Sequence, residues 1–267
     1  MKKQSPVGLV VEGKSANSVI LRLPNLAEEI GPIKSTALRV ARRLANFLHA
    51  GYGIGQYEEL AECRLILVRA SDHMIRRIVD DFCRSDLDLS ALSIVLCESW
   101  QLMDVLAPLN TRGASVGTLL PVPSTRRRWF VLDGEPRATR LTRQFIEANE
   151  GKVLELKDGR KELYFAAELL ATALPIPLFA AAQQALRDAG IGGNNLQALL
   201  EEMAHKMFRD FLNASRTTWG GPLAASAPAT AEEYFERLRR NHPALAATID
   251  AELDLARRSA TAKSKAV

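Results

Sequence analysis

Two groups of residues in this chain have types and spacing that suit chemistry. The first follows an apolar run, Val7-Gly8-Leu9-Val10-Val11, and reads Glu12-Gly13-Lys14-Ser15-Ala16-Asn17-Ser18. A tight turn of small residues between a strand and a helix lets backbone approach a pyrophosphate and aims helix amides at the anion. The register Val11-x-Gly13-x-x-Ala16 keeps the second glycine of the G-x-G-x-x-G/A pattern and a small third residue, with Val11 in place of the first glycine. Lys14, Ser15 and Asn17 offer donors to phosphate oxygens, whereas Glu12 brings a negative charge into the turn. A structural strand–turn–helix that binds nothing accounts for the same residues equally well. Further on, Ser35, Thr36, Arg39 and Arg42 stand where an acid gripping a ribose hydroxyl would follow a second strand. Hydroxyls and arginines there suit a ribose 2′-phosphate.

The second group is ionisable and lies later. Glu98 directly follows the clearest strand of the chain, Leu92-Ser93-Ile94-Val95-Leu96-Cys97, at the end where open α/β sheets hold ligands. It is the first candidate for a carboxylate in a cleft; an acid complementing a helix start is the competing reading. Lys161 and Tyr164 share a helix face, and Tyr164 is the second candidate for proton transfer, against a half-buried core tyrosine. Arg126-Arg127-Arg128 reads as a solvated charge run rather than an anion site. No two of His49, His73, His205 and His242 have metal-ligand spacing, so no metal is expected.

The elements that would position these groups fall into two halves. A length of 267 residues suits two domains. In the first half, apolar runs at Val7–Val11, Ile33–Thr36, Arg64–Arg69, Leu92–Cys97, Val116–Leu120, Trp129–Leu132 and Lys152–Leu156 alternate with helical periodicity. The helices are expected over Val19–Ile30, closed by Gly31-Pro32, and over Leu38–Leu48, Met74–Phe82, Met103–Leu109 and Thr139–Ala148. That alternation argues for a parallel sheet covered on both faces. From Arg160 onward no strand is expected, only long helices. The division is therefore 1–157, α/β, and 158–267, all-α. The segment Leu169 to Ala182 is the most apolar; with Pro175 and Pro177 inside it, it reads as too short for a bilayer and as a buried helix.

Bulk chemistry narrows the partners. Thirty-five basic against 31 acidic residues leave a net charge of only +4, and no basic stripe is interleaved with aromatics, so nucleic acid is not an expected partner. Three cysteines without CxxC spacing point to reduced thiols in a cytoplasmic protein. No membrane-spanning or signal segment is expected.

Four stretches in order, Asp104-Val105-Leu106-Ala107-Pro108-Leu109, Val116-Gly117-Thr118-Leu119-Leu120-Pro121, Lys161-Glu162-Leu163-Tyr164-Phe165-Ala166-Ala167 and Gly220-Gly221-Pro222-Leu223-Ala224, carry a resemblance. The chain resembles bacterial Rossmann-like oxidoreductases whose C-terminal half is an uncharacterised helical domain similar to that of 6-phosphogluconate dehydrogenase. Deazaflavin-dependent NADP reductases and pyrroline-5-carboxylate reductases are wider relatives. The resemblance implies a substrate-unknown oxidoreductase using NADP or NAD, dimerising through its helical domain. It would place Gly13, Lys14, Ser15, Ala16 and Asn17 at the pyrophosphate, Ala70, Ser71 and Asp72 at the adenosine ribose side, and Leu96 to Ser99 by the nicotinamide. The chain departs from those relatives at Leu96, Leu120 and Phe165, where they carry histidine, so a non-catalytic ligand-binding or interaction protein on the same scaffold is the alternative.

Overall fold

The computed structural model describes residues 6–13, 18–123, 127–157, 159–213 and 228–264, with side chains in the last helix to residue 255. The expected phosphate-turn residues Lys14, Ser15, Ala16 and Asn17, Arg126 of the arginine run, and the Gly220-Gly221-Pro222 stretch lie outside them.

An eight-stranded sheet forms from β1 (Val7–Val11), β2 (Ile30–Lys34), β3 (Tyr52–Ile54), β4 (Leu65–Arg69), β5 (Ser93–Cys97), β6 (Ser115–Pro121), β7 (Trp129–Gly134) and β8 (Lys152–Glu155). The spatial order is β3-β2-β1-β4-β5-β6-β7-β8. Every neighbouring pair is parallel except β6 with β7. The link from Pro121 to Trp129 is too short for the crossover that a parallel pair requires, so β7 turns back on β6. The central strands are buried on both faces, which is why β1, β4 and β5 read as continuous apolar runs rather than alternating ones.

One face packs Leu9, Leu67, Val95 and Leu119 against α2 (Leu38–Leu48) and α5 (Pro136–Ala148). The other packs Val10, Ile66, Val68, Ile94 and Leu96 against α3 (Asp72–Arg84) and α4 (Ala107–Thr111). The mostly parallel sheet with helices on both faces is the Rossmann-like arrangement expected from the sequence.

The expected helix Val19–Ile30 does not form. A single 3₁₀ turn, Ile20–Arg22, and the four-residue α1, Leu26–Glu29, take its place. Pro24 is the cause: it pushes Leu23 into extended backbone, φ −66° and ψ 141°, and ends the turn. Gly31-Pro32, read as a stop, instead lies inside β2. The β1–β2 register shifts at that point, between Val7 and Leu9, which accommodates a residue with no N–H for the ladder. β3, flanked by Gly51 and Gly55, is too short to show a period and is not expected from the sequence.

Beyond β8 the described residues are helical: α6 (Lys161–Glu168), α7 (Pro175–Asp188), α8 (Gly193–Asn213), α9 (Pro228–Asn241) and α10 (Pro243–Ser264). The chain divides into two compact units, Met1–Ala166 and Ala167–Val267, so the first runs past the expected division into α6. In the second unit α9 and α10 pair, and Arg239 of α9 ties them by reaching Asp250 of α10 at 3.1 Å while bonding Glu232 of its own helix at 2.9 Å.

The apolar segment departs from expectation in two ways. A π-helical stretch, Leu169–Ala173, absorbs the missing N–H of Pro175 without ending the helix, so one helix runs Lys161–Asp188. Its 28 residues, with a mean hydropathy of 1.7 in the most apolar window, meet the length and composition needed to cross a membrane. Nor is it buried: from Leu169 to Ala182 no residue is buried in the single chain, and Leu170 and Ile176 are 64% and 62% exposed.

Candidate functional site at the C-terminal edge of the sheet

The strands β1, β4 and β5 run side by side in one direction, so their C-terminal residues Val11, Arg69 and Cys97 form one edge. The chain order reverses between β1 and β4, and ligands of open α/β sheets settle in the crevice at such a point.

Gly13 turns the chain at the end of β1 with φ +83°, a left-handed conformation, and a Cβ there would press on Ser71 Oγ. The conformation favours glycine, whereas the approach to Ser71 is relieved by a turn of its hydroxyl. Glu12 precedes it with its backbone N–H donated to Arg69 O at 3.0 Å. The Glu12 side chain is buried, and its Oε2 has no hydrogen-bond partner among the described residues. Burial pushes its carboxyl above the usual carboxylate range, against the pull of Arg77 and Lys34.

Glu98 follows β5 with φ +57°, a strained conformation for a residue with a side chain. Its Oε1 accepts hydrogen bonds from Ser18 Oγ and Ile20 N, each at 2.9 Å, and its Oε2 accepts one from Arg69 Nε at 3.2 Å. Three donors from the segments after β1 and at the end of β4 therefore close on one carboxylate, whose side chain is only 9% exposed. The next residue, Ser99, donates its hydroxyl to Asp72 Oδ1 at 2.7 Å.

Lys161, at the start of α6, is also buried. Its Nζ donates to Ser99 O at 3.0 Å and Gln101 O at 2.6 Å, bracketing Trp100. Burial pulls the ammonium down to about 8, with Asp133 and Asp72 opposing the shift. Trp100 stacks on Tyr164, centroids 5.9 Å apart, and meets Phe165 edge-on at 5.2 Å. Beside this loop a cavity of about 650 Å³ is lined by Leu102, Asp104, Asp133, Glu135, Thr139 and Lys161, among others.

Contacts thus link five of the expected site residues, or their immediate neighbours, along one edge: Gly13 with Ser71 between Ala70 and Asp72, Asp72 with Ser99 beside Glu98, and Trp100 with Tyr164. On the β2 side, Ser35 is buried and donates its hydroxyl to Val11 O at 2.7 Å, while Thr36 and Arg39 are exposed at the start of α2. Leu96 and Leu120 are core residues of β5 and β6, whereas Phe165 is 47% exposed. The sequence reading missed Ser18, Arg69 and Trp100, while Ser71 stood in it between Ala70 and Asp72. Arg69 alone carried a signal, a charge closing an apolar strand. No group of three or more metal-ligating side chains occurs among the described residues.

The comparisons with known proteins agree with this architecture. Residues 128–242 match the family described as "Domain of unknown function (DUF2520)", a stretch from just before β7 to the end of α9. No curated protein matches the chain by sequence. Among solved structures it is similar to a protein from Thermotoga maritima at 18% identity, TM-score 0.68, covering 96% of this chain and 99% of that one. It is also similar to a pyrroline-5-carboxylate reductase from Coxiella burnetii at 12% identity, TM-score 0.61, covering 95% and 99%. An imine reductase from Myxococcus stipitatus, solved with NADP+, matches at 14% identity and TM-score 0.63, covering 96% and 94%. The chain thus has the fold of the Rossmann-like reductases that carry a helical C-terminal half.

Proposed function

We propose that this chain is an NAD(P)-dependent oxidoreductase that works as a homodimer through its helical half. The observation that carries the reading is the turn at Gly13: a left-handed glycine, pressed on Ser71, at the end of the buried strand where the chain order reverses. Without a side chain at Gly13 the turn lies against Ser71, just past the end of β4. Ala70, Ser71 and Asp72 flank the ribose side, and Ser35, Thr36 and Arg39 favour NADP over NAD. When bound, a nicotinamide supplies or accepts hydride. The protein's share is to hold Trp100 and Tyr164 beside the crevice through Lys161, with Tyr164 as the proton-transfer candidate. The exposed apolar residues of α7 and α8 provide the dimer surface. All three cysteines are free, in keeping with a cytoplasmic setting.

The alternative, a non-catalytic binding protein, is favoured by one observation: Leu96 and Leu120 put hydrocarbon where the resembling family has histidine. Thermal unfolding with NADPH and with NADH separates the two. A cofactor at a hundred times its Kd stabilises by about 2.7 kcal/mol through mass action. A clear rise in Tm, larger with NADPH, is the expected result; no rise with either turns the assignment to the binding protein.

A further inference from the structure

The cavity beside the loop after β5 has walls of its own. They come from the turn Met103–Leu106, the end of β7, the start of α5 and the first residues of α6, all within the first unit. Gly13, Ser71 and Glu98, which mark the crevice, do not line it. At about 650 Å³ it has the size of a small-molecule site. Its lining carries unmet charge of both signs. Lys161 is 3% exposed and donates two N–H groups of its ammonium to Ser99 O and Gln101 O, while the third has no acceptor among the described residues. A buried ammonium short of an acceptor is costly, and a carboxylate in the cavity would supply one. The acids of the wall divide in two. Glu135 is taken by Asn110 and Val116 N, and Glu155 by Arg143. The side chains of Asp104 and Glu162 have no partner among the described residues, and two unpaired carboxylates complement an ammonium. Leu102, Met103 and Pro136 add apolar surface for an alkyl chain.

We propose that this cavity binds a small zwitterionic amino acid with an aliphatic side chain, its carboxylate held by Lys161 and its ammonium by Asp104 and Glu162. The two poles of the ligand answer two independent observations. The third N–H of Lys161 calls for an acceptor, which an amine alone does not bring. The carboxylates of Asp104 and Glu162 call for a cation and repel a simple acid. The site does not depend on the crevice binding a dinucleotide.

The test is calorimetric titration of the full chain at pH 7 with three probes that share one alkyl chain: L-norvaline, n-butylamine, which lacks its carboxylate, and pentanoate, which lacks its ammonium. Norvaline is expected to bind, butylamine at least about tenfold more weakly, and pentanoate not at all, since each loses a charge-assisted hydrogen bond and pentanoate also meets repulsion. The double variant Asp104→Asn with Glu162→Gln, whose side chains lie on the outer wall, is expected to weaken norvaline at least about tenfold. Circular dichroism and melting curves show that it is folded. Lys161→Met tests the other pole and is expected to bring norvaline down to the affinity of butylamine; should it not fold, the comparison of norvaline with butylamine on the parent reads the same contact. No binding of norvaline at millimolar concentration overturns the proposal. Butylamine binding as tightly as norvaline overturns the contact with Lys161 and leaves an amine site. Undiminished norvaline binding by the folded double variant overturns the acidic pole. None of these outcomes bears on NADPH binding, so the proposed function stands or falls separately.

Discussion

The two units of this chain treat their apolar residues in opposite ways. In the first, side chains on both faces of the sheet are buried: Leu9, Ile66, Leu67, Phe82, Ile94 and Phe130 are 0% exposed. In the second, only Leu196 and Ala246 are buried among the described residues, while Met207, Phe208, Phe211 and Leu212 of α8 are more than half exposed. Folding stability comes mainly from removing apolar area from water. The first unit achieves this within one chain. The second does not among its described residues, and exposed apolar surface on this scale is what the proposed dimer would cover. The polar edge obeys the same contrast: Glu98, Ser99 and Lys161 are bonded internally, whereas the described helices of the second unit leave their apolar residues exposed.

The sharpest way to break that contrast is to delete a phenylalanine from each unit. Phe82→Ala removes a fully buried ring that packs on Tyr57 at a centroid distance of 4.5 Å. It is expected to cost about 3–5 kcal/mol in denaturant unfolding. Phe211→Ala, at 62% exposure, is expected to change unfolding of the dilute protein by less than about 0.5 kcal/mol. Equal losses would mean that the helical unit buries its own face. The dimer proposal sharpens the same comparison: Phe208→Glu with Phe211→Glu turns a dimer into a monomer in sedimentation equilibrium at micromolar concentration. An unchanged mass in the double variant removes α8 from the interface, and a monomeric parent removes the dimer.

The glycine turn is expected to give the next largest effect. Gly13→Ala must hold a Cβ at φ +83° against Ser71 Oγ, and the backbone strain alone is worth about 1–3 kcal/mol. A Tm within a degree of the parent would show that the turn relaxes at no cost, and would remove the observation on which the proposed function stands.

How much of this was legible in the sequence follows from how local each cause is. β1, β4 and β5 announced themselves because a strand buried on both faces has only apolar residues, as Leu65-Ile66-Leu67-Val68 shows. Leu38–Leu48 was legible because its apolar stripe and the glycine that follows it, Gly51, are local features; the left-handed cap at His49, φ +50°, was not. The Val19–Ile30 helix was misread because its spacing is helical while Pro24 at its middle forbids the helix, and periodicity gives no weight to one residue. Gly31-Pro32 looked like a stop because a bulge in β2 depends on its partner strand. The candidate site divides the same way. Gly13 was visible as a motif residue. Arg69 and Ser18 gained meaning only when three strand ends met, across as many as 80 residues of chain between Ser18 and Glu98. The exposure of Leu169–Ala182 was hidden too, since apolar composition does not say which molecule covers it.

Lys161 separates a structural role from an acid–base role at the edge. Its ammonium is pulled down to about 8 by burial, from an ordinary value of 10.5. Below about pH 8 both folded and unfolded chains carry the proton, and the folded chain bears the full cost of burying it. Between about 8 and 10.5 the unfolded chain binds more protons, so stability rises with pH through that window. Lys161→Met removes this rise. The difference between parent and variant in unfolding free energy, measured from pH 7.5 to 10.5, should move in the parent's favour; a flat difference means that the amine stays charged on Ser99 O and Gln101 O.

Glu12 gives the smallest expected effect and runs in the other direction. Its carboxyl is raised by burial, so in acid the folded chain holds a proton that the unfolded chain releases more readily. The parent is therefore favoured over Glu12→Gln as pH falls through the window between the ordinary carboxylate value of 4.5 and the raised folded value, and the advantage fades above it. Sign, not size, decides here. Arg77 and Lys34 both pull the carboxyl back toward ionisation, so each offsets part of the burial effect. Removing Arg77 in an Arg77→Met background should widen the window upward. If the parent instead loses ground to Glu12→Gln on acidification, the carboxylate is ionised and paired in the folded chain, and the turn beside Gly13 carries a negative charge that a bound diphosphate would have to overcome.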